Sequence, residues 1–83
     1  MSYTPQEILK MSPATLRRTL THEMALDKEL SGKIEAEVNF EPRWSRMSTI
    51  QYTMIALAWA FLEGNFSEQK YEITMRELEG LLI

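Results

Sequence analysis

The chain has 83 residues, 45% of them hydrophobic and 25% charged, with a net charge of −3 and no cysteine. That is enough for one folded domain spanning residues 1–83, and too apolar for a disordered chain. It excludes disulfides, thiolate nucleophiles and cysteine metal sites at once, and it suits a reducing, cytoplasmic setting.

"TPQE", Thr4 to Glu7, has the form of a capping box with proline at the first helical position. It predicts a short helix over roughly 5–11. "SPATL" repeats the device, with Ser12 as cap and Pro13 as first residue. The second helix is expected to reach about Val38, bending or ending at Ser31–Gly32. "NFEPRWS" reads as a loop, because Pro42 biases Glu41 away from helix. A third helix is expected from about Ser45 to Glu63, stopped by Gly64–Asn65. Ser67 then caps a fourth, from Glu68 to about Leu82. No stretch alternates as a strand would. The fold class is all-α: a small bundle of one short N-terminal helix and three longer ones.

The third helix is the unusual one. Met54 to Leu62 is an unbroken apolar run. At 100° per residue, Ile50, Met54, Leu57 and Phe61 form one stripe, and Tyr52, Ile55, Trp59 and Leu62 form another on the opposite side. A surface helix needs one stripe. With one other long helix and two shorter ones to cover it, the second stripe is expected to face a second copy or a protein partner. The alternative is a central helix sandwiched within one chain. The run is far short of the ~20 residues of a membrane span, and no signal peptide is evident, so no membrane association is expected.

The second helix gathers Leu16, Leu20, Met24, Leu30, Ile34 and Val38 on a broad apolar face, with Glu23 and Asp27 near its middle. Buried unpaired carboxylates are costly. These two are expected to reach water or pair with Arg43 and Arg46. A carboxylate metal site at Glu23 and Asp27 is the alternative, but His22 and Glu23 point about 100° apart and no second histidine exists to complete it. No metal and no cofactor is expected. The three glycines stand alone, so no phosphate loop is present, and no nucleophile motif surrounds His22. The chain reads as a non-enzyme.

Charge is uneven: +2 over residues 1–22, −4 over 23–41, +2 over 42–50 and −3 over 51–83. A DNA-binding or transcription-accessory role could use Arg17 and Arg18, with Arg43 and Arg46, on phosphates. The helix after them carries only Gln51 as a good reader of base edges, so nucleic acid is not the expected partner. The loop residues Phe40, Arg43, Trp44 and Arg46 include the residue types enriched at binding hot spots, though Phe40 and Trp44 could equally plug the end of the bundle. The tail offers a similar choice: Leu81 and Leu82 either tuck into the core or form an exposed docking motif.

That tail, "LEGLL", together with "AFLEGN" at Ala60 to Asn65, resembles the small late-transcription coactivators of T-even-type bacteriophages. The resemblance covers about a quarter of the chain. It implies a C-terminal acidic–leucine motif (Leu78, Glu79, Leu81, Leu82) that docks on a sliding clamp, with Gly80 standing where an aromatic would be expected. The combined expectation is a phage-type adaptor or inhibitor of a larger protein. Its contact residues would be Phe40, Arg43, Trp44, Arg46, Tyr52, Ile55, Trp59, Leu62, Leu81 and Leu82.

Overall fold

The computed structural model describes residues 3–40, 43 and 46–82. Five helices follow in order: α1 (Pro5–Lys10), α2 (Pro13–Leu26), α3 (Lys28–Val38), α4 (Thr49–Leu62) and α5 (Glu68–Leu81). No strand occurs among the described residues. The fold is all-α. Its Cα radius of gyration, 11.5 Å, matches the ~11.8 Å of a compact chain this long.

Most boundaries follow from local capping chemistry. Thr4 and Glu7 form the reciprocal capping box of α1. Ser12 accepts from the Thr15 amide to open α2, and Ser67 from the Lys70 amide to open α5. The start of α4 differs from expectation. The helix begins at Thr49, capped by Ser48, rather than near Ser45, which lies outside the described residues. Ser48 and Gln51 form a second capping box: the Ser48 amide donates to Gln51 Oε1 at 2.9 Å. The side chain of this helix best suited to reading a base edge is therefore spent on starting the helix.

At the other end of α4, Gly64 adopts φ +81°. Its amide donates to the Phe61 carbonyl at 3.0 Å and the Asn65 amide to the Ala60 carbonyl at 2.8 Å. This pair of bonds is the Schellman arrangement, and it requires a residue that tolerates the left-handed region.

The larger difference lies between α2 and α3. The break falls at Asp27 and not at Ser31–Gly32, which sit inside α3. Asp27 is extended (φ −129°, ψ 90°), and its Oδ1 accepts from the Leu30 amide at 3.0 Å. The carboxylate read as a burden on an apolar face is instead an N-cap.

That break decides the packing. A continuous helix over 13–38 could cover one side of α4. Two shorter helices can turn around it. As a result α4 touches all four of the others, and α2 also touches α3. Met54 to Ala60 are buried without interruption. Ile8 of α1, Leu16, Leu20 and Met24 of α2, Ile34 and Val38 of α3, and Tyr71 and Met75 of α5 complete the core.

The expectation that Tyr52, Ile55 and Trp59 face another chain is thereby corrected. They are 5%, 0% and 3% exposed, enclosed by their own polypeptide. Five helices pack where the sequence predicts four, so Tyr52, Ile55 and Trp59 of the second stripe are hidden inside one chain, while Leu62 at its end is 37% exposed.

Candidate functional site

With α4 covered, the apolar surface that remains lies elsewhere. On α1, Ile8 anchors in the core, and its neighbour Leu9, about 100° further round the helix, emerges 58% exposed. On α5, Tyr71 and Met75 face inward, and Ile73 stands 50% exposed. Leu9 and Ile73 line the same groove between α1 and the first half of α5, about 380 Å³ in volume. Pro5 and Phe66 add apolar wall, and Thr74 and Lys70 add polar rim. Among the described residues, Lys70 is the only charged one in the lining.

Aromatic packing holds the groove's α5 wall. Tyr71 stacks on Phe61 with ring centroids 4.2 Å apart and planes 1° from parallel. Phe66 meets Tyr71 edge-on at 5.9 Å and 74°. This three-ring cluster fixes Phe66 at the head of α5 and thus shapes one end of the groove. On the far flank of α5, the Tyr71 hydroxyl donates to Glu37 Oε2 of α3 at 3.2 Å. Burial first, and the carboxylates of Glu37 and Glu79 second, push the Tyr71 hydroxyl well above the ordinary tyrosine value of 10.0.

The residues expected to make a site do not converge. Phe40 is half-buried against the core, as a plug would be. Trp44 lies outside the described residues. Arg43 and Arg46 are exposed, and the Arg46 amide donates to the Arg43 carbonyl at 2.8 Å. Among the described residues they make no ion pair with Glu23 or Asp27; the pair that forms is Lys33 with Glu29 at 3.6 Å. Leu62 sits at the rim of the core, 37% exposed. Leu81 is 65% exposed and Leu82 42%, so neither is tucked into the core.

Arg17, Arg18 and His22 share an open depression on the outer side of α2, built from that helix alone. Among the described residues, no group of three or more His, Asp or Glu is placed to hold a metal ion. Among them too, no helix is long and apolar enough to cross a membrane.

No α1–α5 groove is expected from the sequence, although on a helical wheel Ile73 falls outside the arc of Tyr71 and Met75. Leu9 gave no such signal, because a six-residue helix is too short to define a face. No family model, curated protein or solved structure matches this chain.

Proposed function

We propose that this protein is a small non-enzymatic protein–protein interaction module, acting in the cytoplasm as an adaptor or inhibitor of a larger protein. The observation that carries the reading is the α1–α5 groove. Two large aliphatic side chains, Leu9 and Ile73, stand half-exposed in the lining of one concave surface, where Lys70 is the single charged residue among those described. Scattered exposed leucines are ordinary on soluble proteins, whereas paired ones in a groove are what an apolar ridge of a partner fits. The exposed Leu81 at the end of α5 extends the apolar surface along the same helix.

The test compares wild-type protein with a Leu9→Glu/Ile73→Glu variant, each immobilised and exposed to lysate. The expected result is a specific captured protein that the variant loses while its circular dichroism is unchanged. Equal capture by both would remove the groove from the reading.

A second reading, contact with nucleic-acid phosphates, is favoured by the joint exposure of Arg17 and Arg18 beside His22 on α2. It expects binding to random duplex that weakens steeply with salt and is lost in Arg17→Ala/Arg18→Ala. A salt-independent or absent response ends it.

A further inference from the structure

We infer that the groove's occupant is a second copy of this chain, docked by antiparallel pairing of α5 with α5 about a twofold axis between Ile73 and Thr74. The inference rests on the interaction reading above and names the partner.

The argument begins with the face that α5 turns toward α1. At 100° per residue, Lys70, Ile73, Thr74, Glu77 and Leu81 fall within an arc of about 100°, beside the arc that carries the buried Tyr71 and Met75. Lys70, Ile73 and Thr74 line the groove, and Glu77 and Leu81 continue the same strip toward the end of the helix. Lys70 and Glu77 are two turns apart, about 10.5 Å along the axis, too far to pair within the helix. Both residues are exposed, and neither takes part in an ion pair among the described residues.

A twofold axis between Ile73 and Thr74 converts this arrangement into complementarity. An antiparallel copy brings Glu77 opposite Lys70, and by symmetry Lys70 opposite Glu77. It lays Leu81 against Phe66 at the head of the groove and closes Ile73 over the centre, with Leu9 alongside. Gly80 comes opposite Ser67. Beyond its own turn of helix, a Cβ at Gly80 would meet none of the described residues within 4 Å, so this part of α5 is open to a neighbour. A parallel pairing would set lysine on lysine and glutamate on glutamate. The charge pattern therefore selects both the occupant and its direction, as interfacial charges do more generally.

An isologous contact of this kind presents the same strip from both copies. Its size is bounded by one 14-residue helix plus Leu9, at the small end of specific interfaces, so association is expected only at micromolar concentrations and above.

Sedimentation equilibrium of the full chain over about 10–500 µM tests the inference in the range where small interfaces associate. Wild type is expected to move from monomer toward dimer. Lys70→Glu and Glu77→Lys are each expected to weaken dimerisation about tenfold or more, because each sets two like-charged pairs in the contact. An equimolar mixture of the two variants restores association as a heterodimer, and the double variant Lys70→Glu/Glu77→Lys restores it alone. Circular dichroism of every variant establishes that the surface changes leave the fold intact.

A wild type that stays monomeric overturns the inference, as do single variants that associate like wild type or a mixture that stays monomeric. If any of these occurs while Leu9→Glu/Ile73→Glu still abolishes lysate capture, the groove serves a foreign partner and the interaction reading stands. If capture too is unaffected, both fall.

Discussion

Helices α4 and α5 have the same length and opposite economies of surface. Every residue of α4 from Met54 to Ala60 is buried, although its apolar residues run all round the axis. α5 is half charged or polar, yet it leaves Ile73, Leu81 and Leu82 in contact with water. The greasier helix keeps its apolar side chains covered along all but its last residue, Leu62, and the more polar one leaves large apolar side chains more exposed. What marks a contact surface is thus the mismatch between apolar side chains and available cover, and cover is a property of the whole chain.

The sharpest way to break this comparison is to put a charge into each helix. Trp59→Glu buries a carboxylate and removes a large ring from the centre of the core. Loss of a buried tryptophan alone costs about 3–5 kcal/mol, against a total of about 4–12 kcal/mol for a domain this size. The variant is expected to be unfolded by circular dichroism at 25 °C. A folded Trp59→Glu protein would mean that α4 has an open side.

Ile73→Glu, at the corresponding position of contrast, is expected to shift stability by no more than about 0.5 kcal/mol in urea denaturation, as surface changes do.

Between these extremes lies the device that lets α4 be covered. Asp27→Ala removes the N-cap of α3 and is expected to cost about 1 kcal/mol, with Asp27→Asn retaining most of it. Gly32→Ala acts in the other direction. Gly32 lies inside α3 with open space where a Cβ would be, so alanine is expected to add about 0.5–1 kcal/mol of stability. If Gly32→Ala destabilises, the bend at this point is real and the break at Asp27 is not the pivot.

The smallest effect concerns Tyr71. Its hydroxyl holds its proton more tightly when folded than when unfolded. The contribution to stability is complete below pH 10 and is lost as pH rises above it, because the unfolded chain releases that proton first. Thermal melts of wild type and Tyr71→Phe at pH 8 and pH 11 isolate it from the other tyrosines. The wild type is expected to lose more stability than the variant over that interval.

Much of the fold was legible where chemistry is local. Thr4–Glu7, Ser12–Pro13, Gly64 and Ser67 each announce a helix end within four residues. Asp27 was not read as a cap, because the apolar stripe of Leu16, Leu20, Met24, Leu30, Ile34 and Val38 runs straight past it. A stripe keeps its phase across a break when each half packs on the same neighbour, so periodicity alone cannot see the break. Leu26 was the available sign: it lies just before the cap and is 75% exposed, out of step with a continuous face. The misplaced break then propagated. One helix too few around α4 turned Tyr52, Ile55 and Trp59 into an imagined exterior, while Leu9 and Ile73, which need three-dimensional neighbours to define a groove, stayed hidden.

The position of α4 in chain order has a consequence for synthesis. Every outer helix packs on it, yet it is fourth of five to be made. Until residue 62 has emerged, Ile8, Leu16, Leu20 and Ile34 lack the α4 side chains that floor the core, and α2 and α3 have only each other. The nascent first half is therefore expected to remain a set of loosely formed helices with their sticky sides bare, dependent on chaperones or speed. Collapse should come late and all together, when the hub arrives.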